Sequence, residues 1–329
     1  MIEARPGRTR AMGMRSFSEM RLSSLLAFAL LAAAPLFGCA AGNDRECTVG
    51  TDCPSGACNA SGACVKPSTT TDARVDATDA ETDGATDSAT DDAPVTGCLP
   101  NKDGTITAAE VPIGPGLKAT FRVAQNTTFA TAGTAKGDGT RKWDLSGALA
   151  GDKDVLVATL SPAGTWWTSK FAGASHATAL SASSDLLGVF QTTAAGLLLL
   201  GVVSPTDSLT KTELKYATPP AAIQFPLSST SSWKTTSNVT GTASGVLSAY
   251  SETWDSKVDA RGELLTPFGT FDVLRVKTVL TRTIGVSVTI TRSYAFVTEC
   301  FGTVATISSQ PNELSEEFTN AAEVRRIAP

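Results

Sequence analysis

Residues 271–307 read FDVLRVKTVLTRTIGVSVTITRSYAFVTECFGTVATI, and this stretch decides the fold. Apolar and polar residues alternate on both sides of Gly285, a period of two that predicts two half-buried β-strands joined by a tight turn. A third strand is predicted from Thr303 to Ile307. The apolar face comprises Leu274, Val276, Thr278, Leu280, Ile284, Val286, Val288, Ile290, Tyr294 and Phe296, with Arg292 as an interruption. The opposite face comprises Arg275, Lys277, Thr281, Thr283, Ser287, Thr289, Thr291 and Ser293.

The same period extends towards the N-terminus. Residues 250–265 alternate again and are followed by a turn at Pro267 and Gly269. Four shorter alternating segments predict further strands at 118–123, 154–160, 186–191 and 209–216.

Two segments leave alternatives open. The run 197–203 is apolar on both faces, which indicates either a central strand covered on both sides or a strand that faces an apolar cavity. Residues 313–325 fit either a helix capped by Asn312 or a final strand. Helical periodicity is otherwise nearly absent, so residues 97–329 are predicted to form an all-β, mainly antiparallel domain. The long consecutive strands favour a meander that forms a curved sheet, half-barrel or sandwich.

The N-terminal segment has the features of an export signal. An arginine-rich start precedes an apolar core over residues 25–36, which is too short to span a bilayer. The core ends in the tetrad Leu36-Phe37-Gly38-Cys39, which resembles a bacterial lipobox. This resemblance implies that residues 1–38 are a signal peptide and that residues 39–46 are a lipidated N-terminus. An ordinary secretory signal, cut just after the cysteine, is the alternative.

The resemblance also implies a location. In lipoproteins of this class an Asp after the lipidated cysteine signals retention in the inner membrane, whereas Ala40 and Ala41 follow Cys39 here. We therefore expect an outer-membrane protein held by its acyl chains, on either the periplasmic or the cell-surface face. The true start is left open among Met1, Met12, Met14 and Met20.

Six cysteines remain after Cys39, an even number that suits an oxidising compartment. Residues 47–64 contain four of them with the spacing C-x5-C-x4-C-x5-C, too few residues for an apolar core, so crosslinks are expected to supply the order. Three pairings are open, and we favour Cys47–Cys58 with Cys53–Cys64; zinc binding is the competing interpretation. The module resembles short Cys-rich insertions that follow the lipobox in surface lipoproteins of large-genome Gram-negative bacteria.

Cys98 lies at the start of the large domain, and Cys300 lies near its end. Export to an oxidising compartment favours a disulfide between them, and two free buried thiols are the alternative. In the chain-entropy model, closing so long a loop contributes at most roughly 5 kcal/mol.

Residues 65–96 are rich in Thr, Asp, Ala and Ser and contain eight acidic side chains. Low hydrophobicity combined with like charge predicts a disordered acidic tether. Its evenly spaced aspartates do not indicate a calcium array, because a single glycine, Gly84, cannot fold so many carboxylates around ions. From Gly97 onwards acidic and basic residues are equal in number, and no basic cluster suggests nucleic-acid binding.

The segment 101–110 resembles the latter part of an EF-hand loop, which implies a weak calcium site. Leu99 occupies the position of the first carboxylate, so a glycine turn at Gly104 is the simpler interpretation. The candidate ligands are Asn101, Asp103, Thr105 and Glu110.

No residue pattern indicates an enzyme. His176 is the only histidine, and the sequence has no G-x-S-x-G motif, so a Ser-His-Asp hydrolase is not expected. A hydrolase that depends on two carboxylates remains open, because such residues need not be neighbours in sequence.

The leading functional hypothesis is binding without catalysis. A resemblance to the curved-sheet lipoprotein carriers of the Gram-negative envelope extends from Phe225 through Trp233 to the Pro267-Phe268-Gly269-Thr270-Phe271 turn and the last hairpin. It implies an apolar ligand in the sheet or an envelope or surface partner. A purely structural or adhesive lipoprotein is the alternative, and its carbohydrate or protein contacts would use exposed tryptophans. The candidate cavity residues are Leu197, Leu198, Leu199, Leu200, Val202 and Val203. The tryptophans are Trp143, Trp166, Trp167, Trp233 and Trp254.

Overall fold

The protein was analysed in a computed structural model, which describes residues 98–111 and 113–329. The predicted signal peptide, lipidated N-terminus, Cys-rich module and tether lie outside the described residues, and so remain predictions. Over the described part of the chain there are seventeen β-strands and two single-turn 3-10 helices, Ala108–Glu110 and Thr168–Lys170. That part contains no helix long and apolar enough to cross a membrane.

The strands, in chain order, are β1 (Thr105–Ile106), β2 (Lys118–Thr128), β3 (Thr134–Ala135), β4 (Arg141–Asp144), β5 (Lys153–Ala158), β6 (His176–Ser181), β7 (Ser184–Thr193), β8 (Gly196–Val203), β9 (Glu213–Tyr216), β10 (Ala221–Gln224), β11 (Leu227–Ser228), β12 (Ser232–Ala243), β13 (Val246–Leu265), β14 (Thr270–Ile284), β15 (Ser287–Thr298), β16 (Gly302–Ser309) and β17 (Asn320–Ile327).

Fifteen of these strands form one curved sheet. Its main path runs β5-β2-β17-β16-β15-β14-β13-β12-β9-β8-β7-β6, with antiparallel neighbours throughout. β4 pairs in parallel with the end of β13, and β10 pairs with β8. The end strands β5 and β6 approach each other through two hydrogen bonds between Leu160 and Ala177, of 2.7 and 3.0 Å. The sheet is thus a nearly closed half-barrel, which confirms the predicted fold class.

The stretch that decides the fold forms β14, β15 and β16, as the alternation predicts. Gly285 lies in the β14–β15 turn with a φ of 57°, a left-handed conformation that glycine adopts without steric cost. The prediction of one solvated face was wrong over the first half of β14, where Arg275 and Lys277 are only 2% and 7% exposed. The chain folds back over both faces of this strand, with Phe318 on one side and Leu227 on the other.

The observed strand bounds confirm some of the remaining secondary-structure predictions and correct others. The apolar run at 197–203 is a strand, β8, that pairs on both edges. The strand expected over 209–216 begins only at Glu213, because Leu209 lies in an exposed turn. Residues 313–325 form no helix. Asn312 has a φ of 61°, outside the extended conformation of a helix N-cap, and the segment leads into β17.

The described residues pack into several apolar clusters. Two of them cover opposite faces of β14, and each large buried side chain contributes about 1.5–3 kcal/mol by leaving water. The first cluster is centred on Trp143, Leu264, Tyr294, Phe296 and Phe318. The second is centred on Ile106, Leu227, Val258, Leu274 and Val276.

The predicted Cys98–Cys300 disulfide is confirmed, with a Cα–Cα distance of 5.3 Å and a sequence separation of 202. The amide of Cys300 donates to the carbonyl of Glu110 at 2.7 Å. The disulfide therefore fixes the N-terminal segment of the domain against the β15–β16 turn.

Candidate functional site

Three phenylalanines form an aromatic cluster beside the disulfide. The Phe271 and Phe301 rings are 5.1 Å apart and edge-on, and Phe268 stacks on Phe271 at 6.2 Å. Edge-to-face and offset stacking are the favourable arrangements of aromatic rings. Phe271 is buried, whereas Phe268 and Phe301 remain 49% and 47% exposed. The cluster therefore presents about half of two large apolar rings to solvent.

These rings belong to a groove of about 610 Å³, here called the aromatic groove. This volume lies within the range of about 300–1,000 Å³ that is typical of small-molecule sites. The groove crosses the start of β14, between the N-terminal segment, the end of β13 and the β15–β16 turn. Its lining residues are Pro100, Lys102, Gly104, Ile106, Thr140, Arg261, Gly262, Phe268, Gly269, Thr270, Phe271, Asp272, Val273, Leu274, Thr298, Glu299 and Phe301.

A tight turn and a glycine position the residues that line the groove. The turn between β13 and β14 is closed by a hydrogen bond from the Thr266 amide to the Gly269 carbonyl, at 2.8 Å, and Phe268 lies at its tip. Gly262 has a φ of 155°, and a Cβ there would lie 1.9 Å from the Arg141 carbonyl oxygen. Glycine thus allows β4 to pair closely with β13 at the groove.

Most charges at the groove already have partners. Lys102 Nζ lies 3.7 Å from Asp272 Oδ2, and the Lys102 amide donates to both carboxylate oxygens of Glu299, at 3.1 and 3.2 Å. Arg261 is exposed and, among the described residues, makes neither a salt bridge nor a side-chain hydrogen bond. The groove therefore combines apolar rings with one unpaired cation.

Sequence analysis predicted the Pro267–Gly269 turn but did not single out Phe268, Phe271, Phe301 or Arg261. The only available signal was an aromatic residue at the tip of a Pro-Phe-Gly turn. The cluster itself depends on Phe301, which is distant in sequence and reaches the groove through strand pairing and the disulfide.

The EF-hand-like segment brings three of its four candidate side chains together. The Asn101 side-chain amide donates to Glu110 Oε1 at 2.6 Å and to Asp103 Oδ2 at 3.3 Å, while the Thr105 amide donates to Asp103 Oδ1. Gly104 makes the turn, with a φ of 82°. No group of three His, Cys, Asp or Glu side chains among the described residues is arranged to hold a metal ion. The calcium hypothesis stays a prediction, which calorimetric titration with calcium would test.

None of the cavity candidates on β8 lines the aromatic groove, although Leu197 packs against the cluster that contains Ile106 and Leu274. Leu199 and Val202 pack with Phe190, Leu214 and Tyr216. Val203 and the half-buried Leu200 pack with Trp167 and Phe171 in another cluster. Leu197 and Leu198 are half-buried, and Leu198 pairs with Ala221 of β10.

His176 is a buried residue at the start of β6. Its ring stacks on Phe190 with a centroid distance of 5.5 Å, and its Nδ1 lies 2.9 Å from Ser175 Oγ. Burial lowers the pKa of His176. In the described part of the chain no carboxylate hydrogen-bonds to this ring, so the third group of a Ser-His-Asp arrangement is not in place there.

Two carboxylates converge on a buried arginine. Arg275 donates to Asp259 at 2.9 Å through both Nε and Nη2, and to Glu317 Oε1 at 2.6 Å. Its guanidinium also lies over the Tyr294 ring, at 4.3 Å. Burial raises the pKa of Glu317, but hydrogen bonds from Arg275 and Thr131 outweigh burial and hold that pKa below its ordinary value. A glycosidase acid needs the opposite shift, so the pair is arranged as a charge cluster.

A second buried carboxylate, Glu252, is also fully paired. It accepts hydrogen bonds from Tyr216 Oη at 2.7 Å, Trp254 Nε1 at 3.0 Å and Arg282 Nε at 2.8 Å. Burial and the adjacent Glu252 charge raise the pKa of Tyr216. The four side chains form a closed polar network inside the sheet.

None of the five tryptophans is exposed. Trp143 and Trp167 are buried, and Trp166, Trp233 and Trp254 are half-buried. Trp166 and Trp167 lie before a 3-10 helix and not in a strand, so the expected division between two strand faces does not apply. An exposed tryptophan patch, which would favour the adhesive alternative, is not present among the described residues.

Comparison with known proteins gives no family for this chain. No protein-family model matches it, and no curated protein or solved structure matches it significantly.

Proposed function

We propose that this protein is a non-catalytic lipoprotein of the outer membrane whose β domain binds an apolar ligand in the aromatic groove. The observation that carries the proposal is the groove itself, with Phe268 and Phe301 about half exposed over a volume of ligand size. Exposed apolar surface in a concave site is unfavourable in water, and a ligand that covers it gains the hydrophobic contribution of both partners.

The sequence supports the anchored half of the proposal. The tetrad ending at Cys39 resembles a lipobox, and the confirmed Cys98–Cys300 disulfide fits an oxidising compartment outside the cytoplasm. Mass spectrometry of the native N-terminus tests this half directly. A diacylated Cys39 supports it, and an unprocessed Met start contradicts it.

Ligand binding is tested with residues 39–329 carrying Cys39→Ala, so that neither the predicted signal peptide nor acyl chains are present and no detergent is needed. The probe is N-phenyl-1-naphthylamine, a neutral dye whose fluorescence rises in apolar sites. Phe301→Ala removes one half-exposed ring and is expected to weaken dye binding about fivefold, in line with the apolar area lost. Leu209→Ala, at an exposed turn outside the groove, is the matched control.

Equal dye binding by the Phe301→Ala variant and the parent chain would contradict the proposal. An unchanged Leu209→Ala variant would show that loss of exposed apolar area elsewhere has no such effect. Extraction of the native protein from membranes, followed by lipid analysis, then identifies what the groove holds.

A further inference from the structure

Resting on the proposed function, we infer that the ligand of the aromatic groove is an anionic amphiphile, with its apolar chain on Phe268 and Phe301 and its acidic group on Arg261. The argument begins with the charges at the groove. The two acidic residues there are engaged, Asp272 by Lys102 Nζ and Glu299 by the Lys102 amide. Arg261 has no such partner among the described residues.

The position of Arg261 makes its charge available to a ligand. It pairs with Leu274 of β14 in the antiparallel register, and both residues line the groove. Paired residues of neighbouring strands project to the same side of a sheet, so the guanidinium lies on the side that carries Leu274. Among the other cations near this end of β13, Lys136 and Lys142 pair with Glu263, and Arg141 donates to the Ala132 carbonyl at 2.7 Å.

The chemistry of the Arg261 guanidinium and of the two phenylalanine rings indicates the class of ligand. A guanidinium binds carboxylate or phosphate oxygens through a planar set of donors, which favours an acidic head group over an alcohol or an amine. The rings of Phe268 and Phe301 offer no hydrogen-bonding group, so the part that covers them is apolar. A fatty acid and an acidic lipid share this chemistry.

The test uses three ligands with the same ten-carbon chain: decanoate, 1-decanol and decyltrimethylammonium. Each competes with N-phenyl-1-naphthylamine for residues 39–329 carrying Cys39→Ala, below the micelle concentration, at pH 8 and low salt. Decanoate is expected to bind about threefold to fivefold more tightly than decanol, as for a partly exposed ion pair. Decyltrimethylammonium is expected to bind more weakly than decanol.

Two variants test whether Arg261 causes the preference for decanoate over decanol. Arg261→Gln is expected to abolish the advantage of decanoate over decanol, measured as the ratio of the two affinities within the same variant. Lys118→Gln removes an exposed cation of β2 outside the groove and is expected to keep the advantage. High salt is expected to reduce the advantage of decanoate in the parent chain, because the pair is near the surface.

The outcomes separate this inference from the proposed function. If decanoate and decanol bind equally and Phe301→Ala weakens both, the groove binds apolar ligands but the anionic inference is wrong. A decanoate preference that survives Arg261→Gln also contradicts the inference. If none of the three ligands displaces the dye, or Phe301→Ala has no effect, the proposed function fails as well. To distinguish a free fatty acid from a phospholipid, vesicles of phosphatidylglycerol and of phosphatidylcholine are then compared as competitors.

Discussion

Two arginines on neighbouring strands lie close together in the sheet but differ in burial and in ionic partners. Arg275 of β14 and Arg261 of β13 are one step apart in the strand register, since Arg275 pairs with Ala260 and Arg261 with Leu274. Arg275 is buried between aromatic rings and bound by two carboxylates. Arg261 is exposed at the aromatic groove and has no ionic partner in the described residues. The difference indicates that the buried Arg275 serves stability, whereas the exposed Arg261 is available for recognition.

The largest expected effect comes from removing the buried arginine. Arg275→Met leaves Asp259 and Glu317 without their cation, and breaking a buried ion pair costs about 3–5 kcal/mol of unfolding free energy. Arg261→Gln, at the exposed position, is expected to change that free energy by less than about 0.5 kcal/mol. Chemical denaturation of both variants measures the difference, and similar values for the two would remove the basis of the comparison.

The disulfide comes next, because it secures the N-terminal wall of the groove. Replacing both cysteines by Cys98→Ser and Cys300→Ser is expected to lower the unfolding free energy by about 2–4 kcal/mol. The wall formed by Pro100, Lys102 and Ile106 then loses its covalent link, so dye binding is expected to fall as well. A double variant that is less stable but binds the dye normally would show that the wall is not needed for binding.

Phenylalanines of the two regions provide a contrast within one residue type. Phe296 is fully buried beside Trp143, with ring centroids 5.1 Å apart, and Phe296→Ala is expected to cost about 3–5 kcal/mol. Phe301→Ala is expected to cost no more than about 1 kcal/mol, because half of the ring is already exposed. A large loss of stability in the Phe301→Ala variant would mean that this ring is a core residue.

The smallest expected effect is the pH dependence of the stability that the Arg275–Glu317 ion pair contributes. The pKa of Glu317 is lowered in the folded protein, so its carboxylate adds stability above its unfolded pKa of about 4.5. That contribution is lost as the pH falls through the lower, folded pKa. Denaturation midpoints between pH 7 and pH 3 are expected to fall less steeply for Glu317→Gln than for the parent chain. Identical pH profiles for Glu317→Gln and the parent chain would show that the Arg275–Glu317 ion pair adds no stability.

The strand pattern was predictable from sequence because alternation is a local property. Residues 271–307 correctly predicted the hairpin and the third strand, and the even number of cysteines after Cys39 pointed to the Cys98–Cys300 bond. The partners of a side chain are not local. Arg275 has the same place in an alternating pattern whether it faces water or Asp259, and only the folded chain brings Glu317 to it.

The candidate site was harder to predict for the same reason. The apolar run on β8 stood out in the sequence, yet Leu199 and Val202 pack into a cluster. The groove is built from Phe268, Phe271 and Phe301, which come from two separate turns and a strand and carry no common motif.

The central claim, that ligands bind at the aromatic groove, is tested most directly by nuclear magnetic resonance of residues 39–329 carrying Cys39→Ala, with ¹³C-labelled phenylalanine rings. On titration with decanoate, the account predicts saturable shifts of the Phe268, Phe271 and Phe301 ring signals, while Phe190, which packs against Leu199 of β8, keeps its position. Shifts of Phe190 without shifts of Phe268 and Phe301 would contradict the account and place the ligand at β8 instead.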